Sequence, residues 1–532
     1  MEKIKINNFR KINNEWDIKL SPVTFFVGTN NSGKSSVLKS LMLLDDYGNS
    51  NDHFTLKFNQ EHSNNHKIDS YSNAVNRYNS NNKNFDINFC VENNDYLIEY
   101  TFTPLESVNN KFEKGKLKKL KFTSISDNSY LLINHLAADE YQLEFNKTFI
   151  NKSKTNDEII EDKTSYESIR FATESKIKEL SEQLLNFEGT TSERISLIAE
   201  IKNNENVLKR LKVKIKELEQ RISKTDTLFQ PTFKLNNFVD NRTIERVLRK
   251  VLSIYFNESD KKSGYSNSKT EMQKVSFMLE RISESLKLNV THLTPNRNSQ
   301  TRLYVNSMKT NDISKIIAEY FEFPIKPDTE ADMFLKHWME IFDIGIDYRI
   351  TSIQGLATII EIKEFNGVEK EKKGQEDKDW INLVDKGFGA GQIFSILLRI
   401  ATAINKIKPE KTSKTNSVSH NNQILLIEEP EANLHPKLQS KLAELFYQAA
   451  LTFGLRFIIE THSEYIIRNS QLIHLKQTNK DSNIFSVYYF DKKGPYEMKY
   501  LNDGSFNKPF GEGFLDVVDD IALEIFLKNN KQ

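Results

Sequence analysis

The opening stretch KIKINNFRKI places Ile4, Ile6 and then Phe9 on one face, which predicts an edge or half-buried strand. A short unbroken apolar run, VTFFVG, follows and predicts a strand over 23–27 that ends at Gly28. Beyond the polar stretch GTNNSGKSS the period changes, and Val37, Leu38, Leu41 and Leu44 form a buried helical stripe. The polar stretch is therefore a turn joining a strand to a helix.

Residues 48–84 are dominated by Asn, Ser, Asp and Lys and are expected to form a long surface insertion with little packing ability. Strand alternation returns in FDINFCVENNDYLIEYTFTP, so 85–150 are expected to be a sheet subdomain. From about residue 166 the period is helical, and Leu197, Ile201, Asn204, Leu208, Leu211, Ile215, Leu218 and Ile222 step alternately by four and three. Such a seam suits a short coiled coil, with an amphipathic helix lying on a core as the alternative. Ile177, Leu180, Leu184 and Phe187 make a shorter stripe before EGTTS, which allows an antiparallel hairpin. Helices are expected around 242–256, 269–287, 311–322 and 330–342, strands near 346–363, and charged loops at 363–380 and 408–422.

A chain of 532 residues exceeds one ordinary core, so two or three units are expected. Lys plus Arg number 74 against 73 Asp plus Glu, a balance that gives no sign of a general coat for a polyanion and leaves room for a local basic patch. The lone cysteine, Cys90, has no partner within the chain, and no charged-then-apolar leader precedes the first strand; both point to a reducing cytoplasm. No run approaches the roughly 18 apolar residues of a membrane span, so no membrane role is expected.

The turn from Gly28 to Ser35 fits G-x-x-x-x-G-K-[ST], and its place between strand and helix is the context that a phosphate-binding loop requires. Backbone N–H groups around Asn30, Asn31, Ser32, Gly33 and Lys34 would cradle a phosphate, Lys34 would reach its outer oxygens, and Ser35 would ligate Mg²⁺. The metal's second partner lies far along the chain. In QILLIEEPEANLHP an apolar strand over 424–427 delivers Glu428 and Glu429, adjacent acids that are costly in a buried strand unless a cation or phosphate site uses them. Glu428 would hold the metal through water, and Glu429 would orient the attacking water. In RFIIETHSE a strand over 457–459 leads through Glu460 and Thr461 to His462, which is either an ordinary surface or core histidine or a hydrogen-bond donor to charge developing on the γ-phosphate. In GFGAGQ, glycines 387, 389 and 391 precede an apolar helix whose N-terminus is open to an anion.

The order GTNNSGKSS, GFGAGQ, LLIEEPE, ANLHP, IIETHSE resembles the ABC-type ATPase heads of SMC proteins, double-strand-break-repair ATPases, RecF and the OLD family, and is most similar to OLD-like prokaryotic AAA ATPases of anti-phage defence, Septu-like ones included. The segment LTPNRNSQTRLY is similar to a Pro-Arg segment of many of them. The resemblance covers both ends of the chain and hardly touches its middle. It implies an α/β fold, a P-loop NTPase sheet plus an antiparallel β subdomain, with an inserted helical or short coiled-coil region. Three parts are expected: an ATPase lobe over 1–160, a helical insertion over 161–290, and a second ATPase lobe over 291–532.

Carried onto this chain, the resemblance makes Gly28, Asn31, Gly33, Lys34, Ser35 and Ser36 the Walker A loop and Glu428 with Glu429 the Walker B pair. Gly389, Ala390, Gly391 and Gln392 become the signature that meets the γ-phosphate bound by an opposing protomer, residues 433–435 the D-loop and His462 the switch histidine. ATP and Mg²⁺ are the implied ligands, and the ATP state is implied to be a homodimer or higher homo-oligomer. Glu428 stands where Asp is commoner, and the signature lacks its usual serine, which implies slower turnover. Gln300 and Gln354 both fit the Q-loop. The residues after His462 are too short for the Toprim nuclease of OLD proteins and contain no D-x-D pair, so any nucleic-acid cleavage would belong to another chain. Asp516, Asp519 and Asp520 read as a polar helix face. The implied function is ATP-driven dimerisation controlling a separate effector, a nuclease or toxin. A RecF-like repair ATPase and a barely hydrolysing scaffold stand as alternatives. Nucleic acid would need a local patch such as 114–121 or 242–250, either of which is equally well a solvated surface.

Overall fold

The computed structural model describes residues 1–58, 66–81, 83–105, 107–108, 111–146, 149, 154–185, 191–223, 228–238, 241–263, 268–295, 301–305, 312–364, 380–407, 423–477, 484–511, 514, 521 and 524–526. Among them, six strands from both ends of the chain form one sheet in the order Val290–Leu293, Ile424–Glu428, Arg456–Glu460, Val23–Gly28, Phe485–Asp491, Gly494–Met498. The first five run parallel and the last is antiparallel. Val23–Gly28 is thus flanked on both sides by strands from the last part of the sequence.

The unbroken apolar character of these strands follows from burial on both faces. Phe26, Leu426 and Ile458 enter one core, whereas Phe25, Leu425 and Phe457 enter the other. The first core lies between the parallel sheet and a large antiparallel sheet, and holds Leu38 and Leu41 of helix Lys34–Gly48. The second core is built with helices Asp312–Glu322, Glu330–Ile341, Phe388–Asn405, Pro436–Phe453 and Glu464–Lys476. The antiparallel sheet runs Leu228–Phe229, Glu140–Asn146, Tyr130–Ala137, Gly115–Ser124, Tyr96–Pro104, Ile87–Glu92, Lys3–Asn7, Trp16–Lys19. It contains the sheet expected over 85–150 and adds the opening strand to it.

The expected helices form as Ile244–Ser263, Ser268–Leu286, Asp312–Glu322 and Glu330–Ile341, and the expected strands as Asp347–Ile353 and Ala357–Lys363. Of the segment 161–290, the part from Ile244 to Leu286 contributes Ile244, Val247, Leu248, Leu279 and Ile282 to the first core. The coiled-coil seam is an antiparallel hairpin of Lys154–Leu185 and Thr191–Ser223. Leu180 and Ile215 are buried in it, and Lys212 pairs with Glu174 at 3.3 Å between the two helices. At about 1.5 Å per residue each helix is roughly 50 Å long. Phe187 and the 408–422 loop lie outside the described residues, as do most of the 363–380 loop, Asp516, Asp519 and Asp520.

One expectation is corrected. The described residues of 48–84 are not a loosely packed surface insertion, because Phe54, Leu56, Ile68, Tyr71 and Val75 are all buried in the first core, while 59–65 and 82 lie outside the described residues. Its apolar residues are sparse and follow no period, so each is anchored singly. Tyr71 donates from its hydroxyl to Phe85 O at 2.8 Å and Phe102 O at 2.7 Å. The abundant Asn side chains serve as backbone partners, as where Asn76 Nδ2 donates to Arg10 O at 2.6 Å. A second difference concerns hydropathy. Helix Phe388–Asn405 is long and apolar enough to cross a membrane by composition, and here it is a core helix, 78% buried.

Candidate functional site

The turn after Val23–Gly28 is shaped by positive φ at Gly28 (125°), Asn31 (63°) and Gly33 (110°). A Cβ on Gly28 would stand 2.2 Å from Phe490 O, and one on Gly33 would stand 2.5 Å from the Trp16 ring, so both positions exclude a side chain by conformation and by space. Trp16 comes from the antiparallel sheet, paired with Ile6, and packs edge-on against Phe490. The two sheets thus meet beneath the loop. Helix Lys34–Gly48 begins at Gly33 with no side-chain cap and no acid in its first turn, leaving its N–H groups to an anion.

Lys34 is 3% exposed and points back into the loop, donating from Nζ to Gly28 O at 3.1 Å and Thr29 O at 3.0 Å. Burial lowers its pKa, opposed by the charges of Glu460 and Glu429. Ser32 Oγ donates to Thr29 O at 2.7 Å. Asn30, Asn31 and Ser35 are exposed, whereas Ser36 is buried.

Strand register brings the acids to this loop. Glu428 and Glu460 end neighbouring strands as direct partners, and Glu460 also pairs with Phe26 of the loop strand. Ser35 Oγ donates to Glu460 Oε2 at 3.2 Å, and Lys34 Nζ lies 3.8 Å from Glu460 Oε1. Burial raises the Glu460 pKa to about 7, with the Glu428 and Glu429 charges adding to the rise and Lys34 and Ser35 opposing it. Glu460 had no role in the sequence reading, since nothing in RFIIETHSE shows that its strand lies between the loop strand and the Glu428 strand. The acid at a strand end, two residues before the histidine, was the available signal.

Glu428 accepts at 2.8 Å from Nε2 of His292 on the edge strand Val290–Leu293. Glu429 follows in left-handed backbone, φ 45°, fixed by its N–H donating to Glu460 O at 2.7 Å. His462 is exposed; its N–H donates to Glu431 Oε1 at 2.7 Å. Desolvation lowers the ring's pKa, then repulsion from Lys34, against the pull of Glu429. The loop, Glu429 and His462 therefore share one electrostatic neighbourhood.

Gly389, Ala390, Gly391 and Gln392 form the first turn of helix Phe388–Asn405. A Cβ on Gly389 would lie 2.6 Å from Asn433 O, which seats the glycine turn against the 433–435 segment of the same chain. Gln392 is buried, 1% exposed. Gly391 is buried with it, and the accessible face is 387–390. Gln354 lies exposed in the hairpin turn between Asp347–Ile353 and Ala357–Lys363, while Gln300 is outside the described residues. In the basic stretches, Lys118 pairs with Asp86, Lys119 and Lys121 lie near Glu99, and Arg249 pairs with Glu245.

The Ser35 hydroxyl and the carboxylates of Glu428, Glu429 and Glu460 are hard oxygen donors, the type Mg²⁺ accepts alongside water and phosphate. Donors of this kind fit an ion that takes its remaining ligands from water and a nucleotide.

A family model for the AAA ATPase domain matches residues 1–467. No curated protein matches the chain. Among solved structures, the chain is similar to an Smc head domain with an extended coiled coil from Pyrococcus furiosus, at 12% identity over 98% of this chain and 99% of that one, TM-score 0.35. It is also similar to an SMC head domain from Thermotoga maritima, at 9% identity over 94% and 98%, TM-score 0.32. For the recombination mediator protein RecF the values are 11%, 94% and 98%, with a TM-score of 0.23. Overlaps this low carry no functional weight.

Proposed function

Because the chain belongs to the AAA ATPase domain family and is an ATPase, we propose that the loop from Gly28 to Ser36 binds MgATP, with Glu428, Glu429, Glu460 and His462 serving its hydrolysis. The reading rests on one observation above all: Lys34, Ser35 and Glu460 are in contact although the acid lies 425 residues beyond the serine.

Bound Mg²⁺ would neutralise charge on the β- and γ-phosphates, held by Ser35 and, through water, by Glu428. Lys34 exchanges its two carbonyl partners for phosphate oxygens. The open helix N-terminus receives the β-phosphate. Glu429, whose backbone is held in a strained conformation, directs its carboxylate at the attacking water. His462, whose neutral ring is favoured by desolvation, donates a ring N–H toward the γ-phosphate.

The finer reading follows the motif order. The accessible turn 387–390 meets the nucleotide of a second copy, so ATP closes a homodimer or larger assembly and hydrolysis releases it. That switch controls a separate effector, a nuclease or toxin acting in anti-phage defence, from a cytoplasmic site. The helical hairpin is the element available to report the state to such a partner. Nucleic acid enters as a possible trigger. The ion pairs within the two basic stretches favour solvated surfaces there, so a nucleic-acid contact would use other residues.

Nucleotide binding to the wild type and Lys34→Ala tests the site: equal affinity would contradict it. Steady-state turnover with and without duplex DNA then separates the functions. Strong stimulation supports a RecF-like repair or DNA-sensing ATPase, and negligible turnover with ATP-dependent assembly supports a scaffold that holds an effector inactive.

A further inference from the structure

We propose that His292 is a positioning residue for the ATPase reaction, holding the Glu428 carboxylate in the orientation in which it serves the magnesium nucleotide; this rests on the nucleotide-site reading above. The ring donates from Nε2 to Glu428 Oε1 at 2.8 Å, and the two side chains are 9% and 20% exposed. A carboxylate has lone pairs on both oxygens, so the contact at Oε1 leaves the group capable of a metal-bound water. Outer partners of this kind fix the direction of a ligating group.

The strand that carries His292 is built to be rigid. It pairs in parallel with the Glu428 strand, with His292 opposite Leu426. On one side of the histidine, Thr291 Oγ1 accepts from Arg399 Nη2 at 2.5 Å, and Arg399 is itself ion-paired with Glu319. On the other side, the Thr294 N–H and hydroxyl donate to Asp312 at 2.6 and 2.8 Å. The histidine is therefore presented from a strand tied at both flanks to helices of the second core. Lys39, on the helix after the phosphate loop, is a cationic group within electrostatic reach of Glu428. Arg399 belongs to the same helix as Gly389, so the edge strand touches both the helix that presents the glycine turn and the acid that serves the metal.

The test uses the full chain with His292→Ala, His292→Gln, Glu428→Gln, the double variant His292→Ala/Glu428→Gln and Lys34→Ala. A fluorescent ATP analogue is titrated with and without Mg²⁺, and kcat and KM are measured across a Mg²⁺ series. For His292→Ala we expect a Mg²⁺ requirement raised about 10-fold, in nucleotide binding as well as in turnover, with Mg²⁺-free binding unchanged. His292→Gln, which keeps an N–H donor, should recover most of the loss, and the double variant should be no worse than Glu428→Gln alone. A wild-type Mg²⁺ dependence in His292→Ala overturns the proposal. So does an effect that adds fully to that of Glu428→Gln, or one that falls equally on Mg²⁺-free binding and is not rescued by glutamine, since either marks a merely structural role. If Lys34→Ala binds ATP as the wild type does, the nucleotide-site reading fails and takes this inference with it; a normal Lys34→Ala defect beside a silent His292→Ala sinks the inference alone.

Discussion

Ser35 and Glu460 are joined by a hydrogen bond of 3.2 Å across 425 residues of sequence. The serine is the proposed magnesium ligand and the acid is the group it touches in its place, with Lys34 3.8 Å from the same carboxylate. Glu460 is thus an acidic partner to two side chains of the loop at once.

Neutralising that carboxylate should change nucleotide binding in a defined direction. In Glu460→Gln the phosphates no longer face an anion, so Mg²⁺-free ATP is expected to bind several-fold more tightly while turnover falls. Parallel calorimetric titrations of wild type and variant measure this. Weaker Mg²⁺-free binding in the variant would show that Glu460 does not face the phosphates.

Replacing Glu429 by Gln should separate binding from chemistry. The variant keeps Lys34 and the loop, so it is expected to hold ATP and accumulate as dimers or larger assemblies with turnover reduced at least 100-fold. Light scattering after size-exclusion chromatography in ATP reads the assembly. A monomeric Glu429→Gln saturated with ATP would remove the dimer from the mechanism.

The two loop glycines should differ in what they tolerate. Gly28→Ala sets a methyl group against the Phe490 carbonyl, main chain within a central strand pair, whereas Gly33→Ala meets the edge of the Trp16 ring, which can tilt. A stability loss of about 3 kcal/mol or more is expected for the first and about 1–3 kcal/mol for the second. Urea unfolding ranks them, and the reverse order would mean that the sheet yields more easily than the ring.

Acid should destabilise the first core through two buried histidines. His53 accepts the Ile244 N–H at Nδ1 (3.1 Å) and lies 3.3 Å from Gly48 O through Nε2, and burial lowers its pKa to about 4. His66 accepts the Ile68 N–H at Nδ1 and is also lowered to about 4, by burial and then by Lys39 and Arg10. Each folded pKa lies below the unfolded value, so the unfolded chain binds the extra proton. The stability is fully present above pH 6.5 and is lost as pH falls toward 4, by roughly 3 kcal/mol per group. Urea midpoints that do not fall between pH 7 and pH 5 would contradict this.

Leu180→Ala in the helical hairpin should loosen that element alone. The side chain is 3% exposed in a two-helix seam, so a local loss of about 2 kcal/mol is expected, seen as faster proteolysis within 165–216, with ATP affinity unchanged. A parallel loss of ATP affinity would tie the hairpin directly to the nucleotide site.

Where a local pattern suffices, the sequence was legible. The strand, turn and helix around Gly28 to Leu44 follow from a change of period. The hairpin seam does too, since Leu197, Ile201, Asn204, Leu208, Leu211 and Ile215 are less exposed than their neighbours on the same helix. What escaped notice depends on strand order. Glu460 and His292 matter because their strands flank Ile424–Glu428, and no spacing in a single sequence reports which strands lie side by side. The polarity of 48–84 suggests exposure throughout, whereas isolated apolar side chains and Asn-to-backbone hydrogen bonds anchor its described residues to the core.

The placement of Val23–Gly28 between Arg456–Glu460 and Phe485–Asp491 also constrains biosynthesis. A ribosome releases Val23–Gly28 hundreds of residues before either neighbouring strand, so over that interval the nascent chain holds an apolar strand with two unsatisfied edges. Nucleotide capture by the proposed loop therefore waits on the synthesis of both strands, and chains terminated in between would expose a sticky segment to chaperones rather than act as partial enzymes.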